Sequence, residues 1–171
     1  MSEEPAFDLD VKYAGETVAD KLARIRKEMK DAGANTHVMT TLDDICWTLN
    51  IRGNDIDFFP MVLSYAIVTM DGVELYIDER KLDDALKVKL AADGVKLHPY
   101  NDIYEDVKKF AEDTVVMVDP GKLNYAIFNN IPENVKTIEQ RNPAILMKAM
   151  KNPVEIKNIR KAQIKDSVAH V

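Results

Sequence analysis

Much that would announce a chemistry is missing from this sequence. It has one cysteine, Cys46, so an internal disulfide is excluded, as expected for a chain kept in a reducing compartment. No stretch reaches the roughly 18 to 20 consecutive apolar residues that cross a bilayer. The opening "MSEEPAFDLDVKYAG" has neither the basic nor the apolar region of a secretory signal. Basic surplus is lacking too. The net charge of −6 argues against nucleic acid or an anionic membrane as partner, both of which are held through excess Lys and Arg. There is no P-loop, no G-x-G-x-x-G, no G-x-S-x-G and no H-E-x-x-H. No internal repeat or low-complexity segment interrupts the chain.

What is present fits an ordinary globular protein: 171 residues, 46% hydrophobic and 30% charged, enough for one sizeable core. These totals point to a soluble, acidic, cytoplasmic chain. Residues 1–12 read as an extended, frayed start. In "GETVADKLARIRKEMKDAGA", Val18, Leu22, Ile25 and Met29 recur at helical steps on one face, with Thr17 as the cap and Gly33 as the stop. "NTHVMT" reads as a strand and "LDDICWTLN" as a helix capped by Thr41. "MVLSYAIVT" and "VELYID", joined by "MDG", form a hairpin. A helix over "ERKLDDALKVKLAADG", a strand at "VKLHPY", a helix over "NDIYEDVKKFAED" capped by Asn101 or Asp102, and a strand at "TVVMVDP" follow. A short helix in "GKLNYAIFNNIP" and a last strand in "VKTIEQ" complete the unit. This alternation predicts an α/β domain with a mixed sheet.

The last segment, "NPVEIKNIRKAQIKDSVAHV", has a well-made helix start at Asn152, Pro153 and Glu155, an apolar face and no stop signal. That pattern predicts a boundary inside a longer protein; a natural terminal helix docked on the domain is the other reading. Its charge run "KNIRKAQIK" reads as a solvated face.

Candidate chemistry is sparse. His37 and His98 read as strand-face histidines, His170 falls near the end of the final helix, and Cys46 reads as a buried thiol rather than a nucleophile. Of the acidic pairs Asp43–Asp44, Asp55–Asp57, Asp83–Asp84 and Glu112–Asp113, only Asp55–Asp57 lies in a loop, where it reads as a cation or basic-ligand site or as plain solvated carboxylates. The residues alone describe a binding or interaction domain without a self-contained active site.

Three stretches nevertheless carry a pattern. Leu42, Asp43, Ile45, Trp47, Leu49, Asn50, Arg52, Gly53 and Asp55, then Pro60 and Ser64-Tyr65-Ala66, are flanked by "AGETVADKLARIRKEMKDAGA" and "NPAILMKAMKNPVEIKNIRKAQIKDSVA". Together they resemble the three-domain Xaa-Pro aminopeptidases (aminopeptidase P) of the creatinase and prolidase superfamily. The resemblance implies a three-layer α/β/α domain of the creatinase N-terminal, ribonuclease-H-like fold. It places that middle domain at 13–141, and a linker with the first helix of a catalytic domain at 142–171. It further implies that the intact enzyme removes an N-terminal residue preceding proline with two divalent metals, commonly manganese. The ligands of those metals match nothing here, so this stretch is expected to hold no cofactor and to be silent by itself. Its expected role is to cover the active-site cleft and support contacts with the catalytic domain and a second subunit. The loop at Arg52, Asn54, Asp55, Phe58 and Phe59 is then the candidate substrate- or interface-facing element. Arg52 suits a bidentate contact with a carboxylate or, as plainly, a cap on the preceding helix or a pair with Asp55 or Asp57. Gly53 suits a sharp turn, and Phe58 and Phe59 an apolar wall. A free-standing α/β ligand- or protein-binding module is the alternative.

Overall fold

The structure, a computed structural model, describes residues 2–169. The expectation for His170 therefore lies outside the described residues. In chain order the elements are β1 (Phe7–Asp8), α1 (Val11–Ala14), α2 (Val18–Asp31), β2 (Thr36–Met39), α3 (Leu42–Thr48) and β3 (Ile51–Arg52). Then come β4 (Ser64–Thr69), β5 (Val73–Ile77), α4 (Asp84–Ala92), β6 (Val95–His98), α5 (Ile103–Asp106) and β7 (Val115–Val118). The chain closes with α6 (Tyr125–Asn130), β8 (Lys136–Glu139), α7 (Pro143–Ala149) and α8 (Pro153–Ala169).

Six strands form one mixed sheet in the order β6-β5-β4-β2-β7-β8. Strand β4 runs antiparallel to both of its neighbours, and every other pair is parallel. Period-two alternation sends side chains to two cores. Met39, Ala66, Val68, Leu75 and Met117 pack under α2, α3 and α4, while Val38, Ile67, Tyr76, Val116 and Val118 pack under α5 and α6. The result is three layers, α/β/α, as expected.

Helix α2 buries Val18, Leu22, Ile25 and Met29 as its spacing predicts. Thr17 Oγ1 accepts the Asp20 N–H at 3.1 Å. Gly33, at φ +79, lets the Ala34 N–H turn back to the Met29 carbonyl. Elsewhere local chemistry departs from the pattern. Residues 6–8 are not frayed: β1 pairs with β3, Phe7 opposite Arg52, and Ala6 donates to the Lys81 carbonyl at 2.9 Å. The single helix expected from Glu79 is split into a 3-10 turn, Glu79–Lys81, and α4, because Asp78 caps Arg80 and Asp83 caps Leu86. Over 101–113, Asp102 is already helical at φ −67 and caps nothing, and α5 tightens at once into a 3-10 turn, Val107–Lys109. Thr41 is the N-cap residue of α3 as expected, but its hydroxyl caps no backbone amide and donates to Asp44 Oδ2 at 2.5 Å. Segment 142–171, read as a linker and one helix, contains a further helix, α7.

Candidate functional site

The candidate loop leaves α3 through Asn50, whose φ of +52 makes it the left-handed residue that ends the helix. Gly53 was expected to make that turn; its need is space, since a Cβ there would stand 2.7 Å from Val62 Cγ2. Two cations close the carboxyl end of α3, where the helix dipole favours positive charge. Arg52 Nη1 donates to the Cys46 carbonyl at 2.8 Å. Lys21 Nζ donates to the Trp47 carbonyl at 2.7 Å and to Asn50 Oδ1 at 2.6 Å, and lies 4.3 Å from the Trp47 ring centroid. Arg52 thus makes the helix cap that the sequence offered as one of its two readings.

Lys21 is 2% exposed, with no carboxylate in hydrogen-bond contact. Burial pulls its pKa down to about 8 from 10.5. Between those values the unfolded chain holds the extra proton, so folding stability should rise with pH from about 8 to above 10. Denaturant titrations across that range should show the rise, and Lys21→Met should flatten it.

Asp55, placed on the outward-facing set by the sequence, is instead turned into the domain. Its Oδ2 accepts the Leu63 N–H at 2.7 Å and Lys81 Nζ at 2.6 Å, and both charged side chains are at most 1% exposed. Its Oδ1 is buried without a hydrogen-bond partner. This ion pair anchors the loop base to the 3-10 turn beside β5. Asn54 and Asp57 stay exposed. At the tip, Phe59 N–H returns to the Ile56 carbonyl at 3.1 Å, leaving Asp57 and Phe58 as the corners. Phe58 is fully exposed at φ +63, a conformation costing a non-glycine residue about 1–2 kcal/mol. Ile56 and Phe59 are partly exposed beside it. The structure therefore holds an apolar tip on a rigid base.

The remaining candidates are structural. Cys46 is fully buried, its thiol pushed up by burial, and its Sγ takes the Val62 N–H. His37 is buried between the Met117 carbonyl and Asn142 Oδ1, and burial holds its pKa below the ordinary value. His98 stacks on Tyr76 and meets Glu74 at 2.5 Å. A cleft of about 520 Å³ outside the carboxyl ends of β2, β7 and β8 is lined by Asp43, Asp44, Asp119 and Lys148. Those groups are spent internally: Lys148 binds Asp43 and, at 2.6 Å, Asp44, while Asp119 Oδ2 takes the Asn142 N–H. Among the described residues no three His, Cys, Asp or Glu side chains gather to hold a metal ion. The donor set thus does not fit a two-metal centre. Lys21 and Lys81 were passed over in the sequence, although Lys21 lies on the same face of α2 as Leu22 and Ile25, a position where a lysine must find partners.

Comparison with known proteins places this geometry. Residues 1–155 match the creatinase/prolidase N-terminal domain model. The chain belongs to that family. The probable Xaa-Pro aminopeptidase P of Sordaria macrospora is 38% identical over 175 residues, covering 97% of this chain and 28% of that protein. Xaa-Pro aminopeptidase 1 of Dictyostelium discoideum is 37% identical over 164 residues, covering 95% and 26%. Among solved structures, the X-prolyl aminopeptidase of Caenorhabditis elegans superposes with a TM-score of 0.92 at 32% identity, over 97% of this chain and 28% of that one. That protein is described as a cytosolic enzyme with a di-nuclear active site. The Xaa-Pro dipeptidase of Bacillus anthracis, at 15% identity and a TM-score of 0.63, shares the fold. The creatinase/prolidase domain here spans little more than a quarter of the length of the aminopeptidases it matches.

Proposed function

We propose that this chain is the non-catalytic domain of a cytoplasmic Xaa-Pro aminopeptidase, standing against the catalytic domain and helping to shape its cleft. The observation that carries this is the likeness to the Caenorhabditis elegans enzyme over 97% of the chain at a TM-score of 0.92. In this reading 1–12 is an N-terminal segment, 13–141 the creatinase N-terminal-like domain, and 142–171 the linker and first catalytic-domain helix. The substrate is a peptide with proline second. Two divalent metals, manganese in the form proposed here, are held by residues outside this chain, and a second subunit completes the assembly.

Two features support the placement. Ile164 and Val168, one turn apart on α8, are mostly exposed, an apolar pair open to a packing partner. Burial pulls the Arg52 guanidinium at the loop base below its ordinary value, and Glu155 at the start of that helix is among the charges that oppose the shift. Arg52, Asn54, Phe58 and Phe59 then form the outward element, and Asp55 positions it. In the intact aminopeptidase, Arg52→Ala should lower kcat/KM on Xaa-Pro peptides about 10- to 100-fold. That corresponds to a lost charged hydrogen bond of about 1.5–3 kcal/mol. Unchanged kcat/KM would reduce the loop to scaffold.

A further inference from the structure

Two asparagines, ten residues apart, are used in the same unusual way. Asn142 Oδ1 caps α7 by accepting the Ala144 N–H at 3.0 Å, while its Nδ2 reaches across to Asp44 Oδ2 at 3.0 Å. Its backbone N–H goes to Asp119 Oδ2 at 2.9 Å, His37 Nε2 lies 3.2 Å from its Oδ1, and the residue is 3% exposed. Asn152 Oδ1 caps α8, accepting Val154 N–H at 3.0 Å and Glu155 N–H at 2.9 Å, while its Nδ2 donates to the Ala14 carbonyl at 2.7 Å. Glu155 closes the capping box on the Asn152 N–H at 2.8 Å. In each case the amide oxygen starts one helix and the amide nitrogen binds a different element. Among the capping residues asparagine alone presents its acceptor and its donor on separate atoms; aspartate has no donor, and the single oxygen of serine or threonine, on a shorter side chain, would start the helix without reaching the second element.

The site around Asn152 is shaped for the tie. Gly15, at φ +72, ends α1, and a Cβ there would collide with Asn152 Oδ1 and stand 2.7 Å from Val154 Cβ. Further along, Asn158 Nδ2 meets the Lys12 and Tyr13 carbonyls at 3.3 and 3.4 Å. The last carbonyls of α1 thereby receive donors from α8, which buries no residue of its own. Apolar burial does not hold this helix; polar ties do.

We propose that Asn142 and Asn152 form a two-point clamp that fixes the direction of α8 relative to the sheet. The segment from Arg141 to Asn152 is then a rigid bracket, and α8 moves with this domain as one body instead of swinging on a hinge. The inference rests on hydrogen bonds within the chain and stands apart from the peptidase reading.

The test measures distance. Nitroxides attached at Val88→Cys on α4 and Lys161→Cys on α8, both exposed positions, report the angle of α8 by pulsed electron paramagnetic resonance. The clamp predicts one narrow distance distribution. Adding Asn152→Asp keeps the helix cap, removes the donor and faces a carboxylate to the Ala14 carbonyl, and should broaden the distribution at least twofold with circular dichroism unchanged. Asn152→Ser, whose short hydroxyl caps the helix but does not reach the Ala14 carbonyl and adds no charge, should broaden it likewise and serves if the Asp variant loses its fold. A broad distribution in the parent, or a narrow one in both variants, overturns the proposal.

Discussion

Lys81→Met should destabilise the domain by about 3–5 kcal/mol, the range found when one partner of a fully buried ion pair is removed. The pair sits where neither charge reaches water, at most 1% of either side chain being exposed. Methionine fills the aliphatic volume of lysine, so the loss is electrostatic and not a cavity. Asp55 would keep the Leu63 N–H as its one hydrogen bond, because its Oδ1 has none to begin with. Urea unfolding gives the stability change, and Lys81→Met with Asp55→Asn should recover part of it, since the isolated carboxylate is what costs most. Because the pair holds the loop base, chymotrypsin should also cut after Phe58 sooner in the single variant, the bond after Phe59 being protected by Pro60. A loss below about 1 kcal/mol would mean that the pair behaves as a surface salt bridge.

Asp44→Ala is expected to cost about 3 kcal/mol, for a different reason. Asp44 collects the Thr41 hydroxyl, the Asn142 amide and the Lys148 ammonium on two buried oxygens. Lys148 keeps Asp43, but Asn142 Nδ2 is left buried without an acceptor, a penalty of about 1–3 kcal/mol, to which the lost charged bonds add. For a domain of this size that is a melting-temperature drop of roughly 6–12 °C, readable by calorimetry. Asp43→Ala, by contrast, removes a partly exposed carboxylate and should cost under about 1 kcal/mol.

The framework of the fold was legible because burial writes itself into spacing. Val18, Leu22, Ile25 and Met29 announced α2, and the runs on either side of Met70-Asp71-Gly72 announced the hairpin. What escaped was short or polar. Strands β1 and β3 have two residues each, too few for any period, and exist only because they pair with each other. Helix α7 hid in a segment whose order comes from Asn142 and Lys148 meeting α3. At the candidate site, the sequence located the loop but not the direction of its side chains. Asp55 looked like its neighbour Asp57, and only the tertiary position of Lys81 turns one inward and leaves the other in water. For Arg52 the sequence offered a helix cap without naming its acceptor, and only the fold brings the Cys46 carbonyl within reach.

The bonds between α1 and α8 have one more consequence, which concerns time. They join residues 138 to 146 positions apart, so the first helix of the domain and the last complete each other's hydrogen bonding. During synthesis the carbonyls of residues 12–14 emerge early and wait until nearly the whole domain has followed before their partners arrive. Contacts of such long sequence separation form late, since the loop they close must be ordered first. The α1–α8 seam is thus the natural last step of folding, and the bracket from 141 to 152 becomes rigid only when the rest of the domain is already built.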